Sequence, residues 1–74
     1  MNREKFKKYI ESIGFNYFYG YYKYKECEIY FYPYYYDFYN EQEWSCNIEY
    51  NDLTLVEKYL KKELRSIKLK QLLG

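Results

Sequence analysis

Histidine and alanine are both absent from this 74-residue chain, and proline and tryptophan occur once each. Without histidine there is no imidazole for acid–base chemistry near neutral pH and no imidazole metal ligand. The two cysteines, Cys27 and Cys46, cannot make a zinc site alone and read as reduced, core-packed thiols. Three glycines, widely separated, form no phosphate-binding loop. Glu41 and Glu43 lie close in sequence, but their spacing does not set them apart from solvated glutamates as an acid–base pair. The chain is therefore read as non-enzymatic, with no cofactor and no metal. Long apolar runs are missing too: nothing approaches the roughly 20 residues of a membrane-spanning helix. The segment from Arg3 to Lys8 is charged where a signal peptide is apolar, so a cytoplasmic location is expected.

Aromatic side chains take the place of the missing small ones. Tyrosine alone accounts for 14 residues, beside five phenylalanines. Each large ring buries about 150–250 Å², enough to build a core from few residues. A domain of this size buries only about 60% of its unfolded surface, which makes self-association a reasonable expectation.

Periodicity divides the chain into three parts. Phe6, Tyr9, Ile10 and Ile13 form one helical stripe, with Asn2 as N-cap, Gly14 as a left-handed C-terminal stop and Phe15 folded back on Ile10. The period then becomes two. Cys27, Ile29 and Phe31 alternate with Glu28, Tyr30 and Tyr32, and Trp44, Cys46, Ile48 and Tyr50 alternate with Ser45, Asn47 and Glu49. Asn16 to Tyr24 is a third strand candidate, in which Gly20 suggests a bulge or close packing. Lys25-Glu26 reads as a hairpin turn, Pro33 as the end of the middle strand, and Tyr34 to Glu41 as an aromatic loop. Leu53, Val56, Leu60, Leu64 and Ile67 then mark a second amphipathic helix, opened by a capping box at Thr54 to Glu57 or one turn earlier by Asp52. The expected fold is α+β, one domain over residues 1–74, ordered α-β-β-β-α: a three-stranded antiparallel sheet with two helices on one face.

Charge follows this division. Residues 1–25 and 53–74 each carry six basic and two acidic side chains, whereas residues 26–52 carry seven acidic and no basic ones. The expected sheet is acidic and the expected helices are basic. With both helices on one side, the opposite face presents carboxylates beside phenolic rings. The candidate partner-binding residues are Glu28, Tyr30, Tyr32, Tyr35, Asp37, Tyr39, Glu41, Glu43 and Glu49. Such a surface suits a protein partner with a basic, DNA-holding groove. A nucleic-acid-binding module using the basic helices is the rival reading. Against it, the helical lysines are interspersed with acids and the rings concentrate where the acids are.

Residues with A/T-rich codons make up 40 of the 74, a bias that fits an A/T-rich genome. In length, in this bias and in the segment from Tyr30 to Tyr39, the chain resembles the small early proteins of Gram-positive bacteriophages, among them the staphylococcal-phage sliding-clamp inhibitors. That resemblance implies a homodimer that binds the host β sliding clamp of DNA polymerase and fills its DNA channel, with no membrane and no direct nucleic-acid contact. A DNA-mimicking inhibitor of another host protein, such as an anti-CRISPR, would use the same physics. Gln71-Leu72-Leu73 is faintly similar to the glutamine–leucine peptides that dock on clamps, and is read as an ordinary helix end.

Overall fold

The computed structural model describes the backbone of residues 1–73 and the side chains of residues 1–70, so the side chains of Gln71, Leu72 and Leu73 lie outside the described residues. Helix α1 (Arg3–Ile13) starts where the Asn2 side chain accepts the Lys5 N–H at 2.9 Å. It ends in a Schellman motif: Gly14 N–H donates to the Glu11 carbonyl at 3.1 Å and Phe15 N–H to the Ile10 carbonyl at 3.1 Å. Gly14 has φ 132°, and a Cβ there would lie 2.7 Å from the Tyr24 ring. Gly14→Ala therefore combines an unfavourable backbone with a clash. It is expected to cost about 1–3 kcal/mol, read as a lower urea midpoint at unchanged slope; an unchanged midpoint would show that the Tyr24 ring yields freely.

Five antiparallel strands follow in sequence order across one sheet: β1 (Asn16–Phe18), β2 (Tyr21–Tyr24), β3 (Cys27–Phe31), β4 (Tyr36–Tyr39) and β5 (Trp44–Ile48). The expected three strands are thus five, for two local reasons. Tyr19 and Gly20 both adopt positive φ, 49° and 98°, and reverse the chain between the paired residues Phe18 and Tyr21. The candidate strand Asn16 to Tyr24 is therefore a hairpin. Further on, Pro33-Tyr34 forms a tight turn closed by the Tyr32 N–H on the Tyr35 carbonyl at 3.0 Å. The expected aromatic loop returns at once as β4, which buries Tyr36 and Phe38 completely. Lys25-Glu26 is a turn, as expected, with Lys25 at φ 52° between the paired Tyr24 and Cys27.

The second helical region is also interrupted. Helix α2 (Thr54–Tyr59) and helix α3 (Lys61–Leu73) meet at Leu60, whose φ of −122° departs from helical geometry. Leu60 N–H still reaches the Val56 carbonyl at 3.0 Å, and Leu60 itself is buried. No side chain caps α2 at Leu53. The Asp52 carboxylate instead accepts the Thr54 N–H at 3.1 Å, the earlier of the two expected starts.

One hydrophobic cluster joins the layers. Phe6, Ile10 and Ile13 of α1, with Val56 and Leu60, cover Tyr22, Cys27, Ile29, Tyr36 and Phe38 of the sheet. Leu53, Leu64 and Ile67 pack against its margin, so the apolar stripe expected for the second helix faces the core across the break. Two core tyrosines satisfy their hydroxyls on backbone: Tyr36 donates to the Asp52 carbonyl and Tyr50 to the Tyr32 carbonyl. No helix among the described residues is long and apolar enough to cross a membrane.

Candidate docking face

Strand register decides which side chains share the sheet face opposite the helices. One row runs across all five strands: Asn16 opposite Lys23, Lys23 opposite Glu28, Glu28 opposite Tyr39, and Tyr39 opposite Trp44. The next row sets Phe18 opposite Tyr21 and Tyr30 opposite Asp37, with the Tyr21 and Tyr30 rings stacked at 5.1 Å. Tyr32 continues the face past the end of β3 and stacks on Tyr35 at 5.0 Å. Within this surface Tyr30, Tyr32, Asp37, Tyr39 and Trp44 line an open depression of 340 Å³.

Trp44 reaches this face through a bulge. Strict alternation along β5 predicts Trp44, Cys46, Ile48 and Tyr50 on the covered side. Between the pairs Phe38–Ser45 and Tyr36–Ile48, however, β5 has two residues where β4 has one. Asn47 adopts φ 57°, and its N–H donates to the Asp37 carboxylate at 3.0 Å. The extra residue inverts the first half of the strand: Ser45 turns toward the helices, while Trp44 and Cys46 are exposed. Cys46 is therefore not core-packed; Cys27 is. Ile48 and Tyr50 keep their expected inward positions.

The nine candidate binding residues separate accordingly. Glu28, Tyr30, Asp37 and Tyr39 share the open face, with Tyr32 and half-buried Tyr35 at its margin. Glu28 accepts the Tyr30 hydroxyl at 2.8 Å. This hydrogen bond, then burial, pushes the Tyr30 phenol up to about 12. Glu43 is on the helix side instead, accepting from the Tyr59 hydroxyl and from Lys58 at 3.0 Å, which in that order hold its carboxyl below the ordinary value. The cause is the Asn40 side chain, which accepts the N–H groups of Gln42 and Glu43 at 2.8 Å each and folds that turn back toward α2. Glu41 is exposed in the same turn, and Glu49 lies beyond β5, where its carbonyl accepts the Asp52 N–H. The acidic residues contiguous in sequence are thus dispersed in space, and only Glu28 and Asp37 sit among the exposed rings. No protein-family model, curated protein or solved structure matches this chain.

Sequence reasoning missed Phe18, Tyr21 and Trp44 as face residues. The signal for Trp44 was Asn47, a residue tolerant of left-handed backbone, inside a five-residue strand. Two other grooves flank the helices. One, of 680 Å³, lies between the β2–β3 and β4–β5 turns and the α2–α3 junction, mixing Lys25, Lys58, Lys61 and Lys62 with Glu26, Glu41 and Glu63. Lys25 and Glu63 pair across it at 2.9 Å. The other, of 700 Å³, runs between α1 and α3 past Tyr9, Leu64 and Ile67. Among the described residues no group of three histidine, cysteine, aspartate or glutamate side chains gathers as a metal site.

Proposed function

We propose that this chain is a protein-binding domain that docks the uncovered face of its sheet on a basic partner surface inside the cell. The observation that carries the reading is an aromatic surface that no element among the described residues covers: Phe18, Tyr39 and Trp44 are 49%, 43% and 67% exposed, with Tyr21, Tyr30 and Tyr32 between or beside them. Aromatic rings with hydroxyl rims supply interface area and hydrogen bonds at low entropic cost. Glu28 and Asp37 give the face its acidic sign, opposed by Lys23 alone in the register rows. That balance favours a cationic protein surface over phosphate, which the same carboxylates repel.

The bacterial sliding clamp is the partner that the phage-protein resemblance puts forward, with the DNA channel as its basic surface. The dispersal of Glu41, Glu43 and Glu49 favours docking led by rings over a continuous imitation of a phosphate backbone. The expected complex therefore resists salt more than a protein–DNA complex does. A homodimer belongs to the same proposal and is measured by light scattering.

Capture on immobilised sliding clamp from a low-G+C Gram-positive bacterium, washed at rising salt, tests both parts. The combined variant Phe18→Ser, Tyr39→Ser, Trp44→Ser is expected to lose about 100-fold or more in affinity, because truncated aromatic anchors dominate interfaces. Its stability should move by about 0.5 kcal/mol per site. Undiminished capture of the variant would sink the face as the docking surface. Failure to capture the unaltered chain would remove the clamp as partner.

A further inference from the structure

We propose that the depression on the open face is a cation cage that seats an arginine side chain of the partner, an inference that rests on the open face being the docking surface. Four rings, those of Tyr30, Tyr32, Tyr39 and Trp44, surround it with one carboxylate, Asp37, in its wall. Two of the rings are braced from outside, Tyr30 by Tyr21 at 5.1 Å and Tyr32 by Tyr35 at 5.0 Å. Among the described residues no ring–ring contact joins one of the four to another, so the space between them is left open while Tyr30 and Tyr32 are held in place. Preorganised aromatic walls around an open space attract a cation through the ring quadrupole.

The chain's own cations do not fill this space. Lys25 and Lys58 lie over the rings of Tyr24 and Tyr59, on the helix side, and Lys23 faces Glu28 one row away from Asp37. Asp37 accepts the Asn47 N–H at 3.0 Å through one oxygen. An ionised carboxylate offers about four lone-pair sites, so acceptor capacity remains for an incoming donor. A planar, weakly hydrated guanidinium matches this surrounding better than an ammonium does. It stacks on ring faces while its edge donors reach the carboxylate and the phenolic oxygens.

Trp44 is the only tryptophan in the chain and stands in the wall of the cage, so its fluorescence reports occupancy directly. The probes are Nα-acetyl-arginine amide, its neutral isostere Nα-acetyl-citrulline amide, and Nα-acetyl-lysine amide. The arginine probe is expected to change Trp44 emission saturably with a roughly millimolar Kd. The citrulline probe should bind on the order of tenfold more weakly, and the lysine probe should fall between them. Asp37→Asn keeps an oxygen for the Asn47 N–H and should reduce arginine binding to the citrulline level. Tyr39→Leu removes one exposed ring and should weaken it severalfold, with thermal melts establishing that both variants fold. Equal binding of the arginine and citrulline probes, or no saturable response to arginine, overturns the cage. If Asp37→Asn still binds the clamp as the unaltered chain does while neither protein binds the arginine probe, the cage falls and face docking stands.

Discussion

Replacing Phe6 with alanine is expected to remove a large part of the chain's folding stability, about 3–5 kcal/mol. Phe6 is fully buried, stacks on Tyr36 at 4.3 Å and meets Tyr50 at 5.3 Å and Phe31 at 5.7 Å. It is where α1 enters the aromatic cluster of β3 and β4, so its loss opens a cavity between layers rather than at an edge. Removing a buried phenylalanine costs about 3–5 kcal/mol, whereas a domain of this length holds roughly 4–11 kcal/mol in total. The rings of Phe31, Tyr36 and Tyr50 that meet Phe6 are rigid and collapse into such a gap less readily than aliphatic chains do. Circular dichroism and urea titration check the outcome. A cooperative transition within about 1 kcal/mol of the unaltered chain would mean that α1 contributes little to the core.

Alkaline unfolding is the second large effect expected, and its sign follows from the tyrosines. Tyr36 is raised well above the ordinary phenol value, first by burial and then by the nearby Asp52. Burial likewise raises Tyr9 and Tyr50, and Tyr30 is pushed up to about 12 by its bond to Glu28. A phenol whose folded value exceeds its unfolded value of 10.0 binds its proton more tightly in the folded state. Its contribution to stability is complete below the unfolded value and declines as pH rises through the folded one. Several such groups act together, so stability should fall steeply above pH 10.0, ending in cooperative unfolding near pH 12. Tyrosinate absorbance and far-ultraviolet circular dichroism, followed on one sample, should change in a single shared step. A gradual phenol titration with unchanged circular dichroism would contradict it. At the acid end Glu43, Glu63 and Asp52, all held below their ordinary values, contribute stability that declines as pH falls through those values. Asp52 is exposed and Glu43 half-buried, and although Glu63 is mostly covered its partner Lys25 is exposed, so the acid decline is expected to be the shallower one.

The two ends of the pH range thus report different layers of the fold. The phenols that matter are in the core or on the open face, whereas the paired carboxylates tie turns to helices, as Glu43 does to Lys58 and Glu63 to Lys25. The Glu43–Lys58 pair is one reason an acidic stretch in the sequence does not become an acidic surface. The Asn40 turn and the α2 lysine draw Glu43 away from the sheet face, and the bulge at Asn47 engages Asp37 in holding backbone. What remains on the face is mostly ring, with charge at three positions, Lys23, Glu28 and Asp37.

The sequence by itself determined the parts whose information is local. Asn2, Gly14 and Phe15 specify where α1 begins and ends, and its stripe at three- and four-residue spacing specifies which side is buried. The alternation of Cys27, Ile29 and Phe31 specifies β3, and the stripe from Leu53 to Ile67 specifies the inner side of the last helices, because in each case side chains of opposite character mark the two faces. Only the tertiary structure decided the fate of the tyrosine-rich stretches. Tyrosine suits a core face and a wet face alike, so the run from Tyr30 to Tyr39 carries little contrast from which a period can be read, and β4 emerges only when Tyr36 and Phe38 meet Phe6 and Tyr59. The placement of Trp44 depends on one unpaired residue in β5. Side chains alternate with a period of two, so that single insertion exchanges inside for outside, and it is set by the partner strand rather than by the segment itself.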